Sequence, residues 1–128
     1  MNRIAILVHK DRAFEKSKYF LSAIAQFWSS DGLQVRVLHG PGPVIEADLM
    51  IPHVDLTTLP DDYATFAHQY PRVINGQIKS ISKRVISSNL VSRRDGYDGP
   101  VIVKTNYNSG GICEALLAQK GSFLQRLT

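Results

Sequence analysis

The chain has 128 residues, of which 44% are hydrophobic and 20% charged. That is the size of one ordinary domain, or of a small domain with a piece of another, and the composition excludes disordered, collagen-like and mucin-like chains. No apolar run approaches the roughly 18 residues of a membrane span, and the apolar stretch at 4–8 is too short for a signal-peptide core. The single cysteine, Cys113, cannot form an internal disulfide, so a soluble protein of the reducing cytoplasm is expected.

Residues 3–8 read as a strand buried on both faces of a parallel sheet. Asp11 is placed to cap a following helix, in which Phe14, Lys18 or Tyr19, Leu21, Ile24, Ala25, Phe27 and Trp28 recur at helical spacing. Asp31-Gly32 ends that helix, with glycine free to turn left-handed. Val35–Leu38 and Ala47–Ile51 are the next strands, separated by the Gly40–Pro43 loop. Their connection is too short for a helix, which leaves an antiparallel pair or an irregular crossing. Pro60-Asp61-Asp62 opens a helix to about Gln69, and 72–76 reads as a short fourth strand with a turn. Helices between apolar strands predict an α/β fold with a small, mostly parallel sheet.

The composition changes after Gly76. Ile78, Ile81 and Val85 share a helical face opposite Lys79 and Lys83, predicting a helix to about Val91. Two turn signals, 93–96 and 97–99, lead to a predicted strand at 100–105. Ala115–Ala118 favours helix in the last stretch. Charge is concentrated here. Residues 79–104 hold six basic residues and two acidic ones, so the chain's whole net charge of +4 sits in this segment. A local positive field suits a polyphosphate or a nucleic-acid backbone, and equally a solvated helix face.

Val101–Lys104 followed by Asn106–Gly111 is the strongest chemical signal. A lysine ending a buried strand is costly unless its ammonium reaches water or an anion. Alternation puts Lys104 on one face with Ile102, and Val101 and Val103 on the other. Two glycines let the next loop approach a ligand and present amide N–H groups. Lysine and amides together can cradle phosphate. The bland alternative is a strand-end lysine reaching solvent beside a Gly-Gly turn. Neither a Walker A ending nor a dinucleotide fingerprint is present.

Ser80-Ile81-Ser82-Lys83-Arg84, then Gly99–Thr105 and Asn108-Ser109-Gly110-Gly111, resemble in order and spacing the beginning of an ATP-grasp domain. Residues 1–76 are similar in pattern to the Rossmann-like pre-ATP-grasp domain that precedes it, which makes 77–128 the incomplete start of the nucleotide-binding lobe. The resemblance implies a ligase that activates a carboxylate as an acyl phosphate and joins it to an amine or thiol. It implies ATP contacts from Lys104, from Lys83 or Arg84, and from Asn108, Ser109, Gly110 and Gly111. In the family the adenine hinge and the Mg²⁺ ligands follow the glycine loop. Here 17 residues follow Gly111, with Glu114 their one acid, whereas Mg²⁺ needs carboxylates beside the phosphates. The expectation is an N-terminal fragment, inactive alone, whose ATP, Mg²⁺ and small carboxylate substrate belong to a complete protein.

His9, His39 and His53 each follow an apolar strand, and Asp55 lies just beyond. The carboxyl ends of parallel strands form a ligand crevice, so these four are candidate substrate contacts. A metal site or simple loop hydrogen bonding are the other readings. Asp61-Asp62 reads as helix-start acids and Cys113 as a buried thiol; Phe14, Phe20, Phe27 and Trp28 read as core, and Tyr107 as a partly exposed loop residue. The competing function is a small basic nucleic-acid-binding or interaction module acting through Lys79, Lys83, Arg93 and Arg94. The shortage of aromatics among those residues weighs against single-strand recognition. A half-built lobe exposes apolar surface, which favours self-association.

Overall fold

The computed structural model describes residues 2–14 and 19–125. The chain is α/β and divides into two compact units, Met1–Asp55 with Leu59–Lys79, and Leu56–Thr58 with Ser80–Thr128.

The first unit is built on a three-stranded parallel sheet. Its middle strand β1 (Arg3–Val8) lies between β2 (Gln34–His39) and β3 (Leu49–Pro52). Ile4 through Val8 are all buried, with Ala5, Ile6 and Leu7 at 0% exposure. That accounts for an uninterrupted apolar run, because a central strand has no solvent face. β2 alternates between exposed and half-buried residues, as an edge strand does. Helix α1 (Phe20–Ser30) packs Leu21, Ala25 and Trp28 against Ile4, Ile6, Val8 and Phe14. Helix α2 (Asp61–Ala67) rests on β3 and buries Tyr63, Phe66 and Ala67. The start of β3 is tied to β1 through Asp48, which accepts hydrogen bonds from the Arg3 N–H at 3.1 Å and from the Arg3 guanidinium at 2.7 Å. This pairing holds the Asp48 carboxyl well below the usual carboxylate range.

Both sheet pairings are parallel, so the 40–48 connection is the irregular alternative. It returns the chain along the sheet without a helix. Extended backbone reaches roughly 3.3 Å per residue, which is enough for so short a strand to be recrossed.

Several elements depart from expectation. Asp11 does not cap α1, whose N-cap position is Tyr19. The expected helical positions 15–18 lie outside the described residues. Phe14 is core and Trp28 packs against it, but Phe20 is 81% and Phe27 73% exposed. Seven residues apart, these two share the outward stripe of the helix. The expected fourth strand shrinks to one parallel bridge, Met50 with Val73, and the chain then turns through Asn75 at φ 54°.

The second unit is mostly irregular. The expected helix over 78–91 is reduced to α3 (Lys83–Ile86). Ser80 forms an antiparallel bridge with Thr58, and Ile81 N–H donates to the Thr57 carbonyl at 2.8 Å, so the chain stays extended up to Ser82. Beyond Ile86 comes Ser87-Ser88-Asn89, poor helix formers that compete for backbone hydrogen bonds. The expected strand at 100–105 does not form. Val101, Ile102 and Val103 are exposed and have no ladder partner among the described residues. Helix α4 (Ile112–Gln125) follows a tight turn at Asn108–Gly111 and buries Cys113. Among the described residues, no helix is long and apolar enough to cross a membrane.

Candidate functional site

Two places gather the chemistry-bearing residues, one in each unit. In the first unit, the carboxyl ends of β1 and β2 open into a cleft of about 430 Å³. It is lined by His9, Lys10, His39, Gly40, Pro41, Pro60, Asp62 and Tyr63. Its floor is aromatic: His9 stacks on Tyr63 with ring centroids 5.7 Å apart and planes 6° from parallel, and both are buried. The Asp11 N–H donates to His9 Nδ1 at 3.2 Å, and the Asp11 carboxylate lies 3.7 Å from the same nitrogen. The Tyr63 hydroxyl accepts the Lys10 N–H at 3.1 Å, and burial pushes the phenol upward so that it keeps its proton. Gly40 makes this close packing possible. Its φ is +88°, and a Cβ there would lie 3.1 Å from Lys10 Cβ and 3.3 Å from the Tyr63 hydroxyl. Lys10, His39 and Asp62 form the exposed rim.

His53 and Asp55 do not line this cleft, so the four strand-end candidates do not converge. The His53 ring meets Phe14 and Tyr19 edge-on, at centroid distances of 5.9 and 4.8 Å. Tyr19 donates its hydroxyl proton to Asp55, which sits at φ 58°. His53 Nε2 is buried without a hydrogen-bond partner, and burial lowers the His53 pKa below its ordinary value although Asp55 opposes the shift. The surroundings are those of a packed neutral imidazole. Among the described residues, no group of three or more His, Cys, Asp or Glu side chains is placed to hold a metal ion.

In the second unit, Asn106 joins the basic helix start to the glycine loop. Its carbonyl accepts the Lys83 N–H at 3.3 Å, and its side-chain oxygen accepts the Arg84 N–H at 3.0 Å. The loop is anchored two residues later, where Asn108 N–H donates to Thr57 Oγ1 at 2.7 Å. Thr57 is buried and donates in turn to Glu114 in the first turn of α4. Ser109, Gly110 and Gly111 then run left-handed in succession, at φ 45°, 71° and 80°. For the serine this conformation costs roughly 1 kcal/mol. Lys104 is exposed and precedes this loop in irregular chain, so it is not the terminal residue of a buried strand. Lys83 is half-buried; Arg93 and Arg94 are exposed.

Asp61 and Asp62 occupy the first turn of α2, and Tyr107 is exposed, both as expected. Sequence reasoning missed Lys10, Gly40, Asp62 and Tyr63 as cleft residues. Lys10 and Gly40 stand just past strands, the same signal that picked out His9 and His39. Tyr63 carries no such mark, since a tyrosine inside a short helix reads as core. No protein-family model, curated protein or solved structure matches the chain.

Proposed function

We propose that this chain carries the pre-ATP-grasp layer and the first phosphate-binding elements of an ATP-grasp ligase, one that joins a carboxylate to an amine or thiol. The observation that carries the reading is the double hydrogen bond from the Lys83 and Arg84 amides to Asn106. It sets the basic helix start beside a loop that ends in three left-handed residues and leads into α4. The donors of this region are ammonium, guanidinium and backbone N–H groups, which suit the oxygens of a triphosphate. They do not suit Mg²⁺, which takes carboxylate and water oxygens.

In this reading Lys83 and Lys104 neutralise phosphate oxygens, and Asn108 to Gly111 supply close backbone contact. ATP supplies the phosphoryl group that activates the carboxylate. The residues of this region bind and orient the nucleotide. Calorimetric titration with ATP and magnesium tests this. Saturable binding that weakens about tenfold in Lys104→Ala, as expected for a lost charge-assisted contact, supports it. Absence of ATP binding, or polynucleotide binding with a steep salt dependence shared among Lys79, Lys83, Arg93 and Arg94, overturns it.

A further inference from the structure

The cleft at the carboxyl ends of β1 and β2 is used by nothing in the phosphate reading, and it lies wholly within the first unit. Its volume of about 430 Å³ falls in the ordinary range for small-molecule pockets, roughly 300–1,000 Å³. The walls are rigid. Pro41 and Pro60 have fixed φ, and Gly40 permits contact that a side chain would block.

The polar groups have opposite characters. Lys10 brings one positive charge and Asp62 one negative charge to the rim. Asp62 makes no ion pair with Lys79, which is taken by Asp61. The Tyr63 hydroxyl is buried and already accepts from Lys10 N–H, and its own proton has no acceptor among the described residues. A buried donor facing a cavity is costly unless a ligand or water accepts from it. A carboxylate is a suitable acceptor, and the Lys10 ammonium reinforces it. Asp62 then suits a cationic group on the same ligand. The aromatic floor of His9 and Tyr63 offers apolar contact between the two charges.

We propose that this cleft binds a small zwitterion, an α-amino acid or a short peptide. Tyr63 and Lys10 hold its carboxylate and Asp62 holds its ammonium group. The proposal stands on the first unit alone and does not rest on the nucleotide reading.

The test is a titration of the full chain with L-alanyl-L-alanine, followed by amide and imidazole NMR shifts. Saturable shifts at Lys10, Gly40, His9 and His39 are expected. The N-acetylated dipeptide, which lacks the ammonium group, should bind about tenfold more weakly. Asp62→Asn should abolish that preference by weakening the free dipeptide and not the acetylated one. Asp62 is exposed, so the variant leaves the fold intact. Tyr63→Phe should weaken both peptides, with circular dichroism verifying that it folds. Absence of saturable shifts, equal binding of the two peptides, or an Asp62→Asn effect of equal size on both overturns the proposal.

Discussion

Glu114 Oε1 accepts two hydrogen bonds from one residue, the Thr57 N–H at 2.8 Å and the Thr57 hydroxyl at 2.6 Å. The same hydroxyl oxygen accepts the Asn108 N–H at 2.7 Å. One buried threonine thus links the first turn of α4 to the base of the glycine loop. Thr57→Val keeps the shape and removes both hydroxyl bonds, the one given to Glu114 and the one accepted from Asn108 N–H. Losing a buried bond of this kind costs roughly 1–3 kcal/mol. Urea denaturation followed by helical circular dichroism should show that loss, and Thr57→Ser should recover most of it.

Gly40 serves the first unit in a different way. Gly40→Ala forces an L-residue to φ +88° and drives a methyl against Lys10 and Tyr63. The left-handed backbone alone costs roughly 1–2 kcal/mol, and the contacts add to it. A lower thermal midpoint is expected, with the NMR signals of Lys10 and Tyr63 displaced. Gly32 has a similar φ of +85° but open space around it, so Gly32→Ala should cost only the backbone share.

His53 gives the first unit a pH dependence with a definite sign. Burial lowers its folded-state pKa below the ordinary 6.5. The unfolded chain therefore binds more protons near neutrality, and stability rises with pH across that interval. The contribution is complete above pH 6.5 and is lost as pH falls toward the folded value. Denaturation midpoints measured from pH 7.5 down to 5 should fall, and the slope should flatten in His53→Phe.

Asp48 acts at lower pH. Its carboxyl is held down chiefly by the Arg3 side chain, then by the Asn2 and Arg3 N–H groups. The stability it contributes is present above the unfolded carboxyl value and disappears as pH falls through the lower folded one. Asp48→Asn should lower the thermal midpoint at pH 7, with the difference from the parent chain shrinking in strong acid.

The first unit was largely legible because its signals are local and its partners are near. An apolar run such as Ile4–Val8 has one stable environment, the middle of a sheet. Gly32 stops α1 by backbone conformation alone, so its effect is visible in two letters of sequence. Phe20 and Phe27 were misread because helical spacing says which residues share a face and not which face is covered. The second unit was less legible for a related reason. Val101-Ile102-Val103 carries strand propensity, but a strand exists only where a neighbour accepts its hydrogen bonds. The link from Lys83 and Arg84 to Asn106 depends on backbone and amide groups, which composition does not mark. His9 and His39 were found from their strand-end positions, yet His53 at an equivalent position turns into packing against Phe14 and Tyr19.

The phosphate-binding claim is tested most directly by following backbone amide NMR signals during titration with ATP and magnesium. Saturable shifts concentrated at Ser109, Gly110, Gly111 and Lys83 are expected, and their loss in a Lys83→Ala, Lys104→Ala double variant. Unmoved glycine-loop amides, or shifts confined to Arg93 and Arg94, would contradict it.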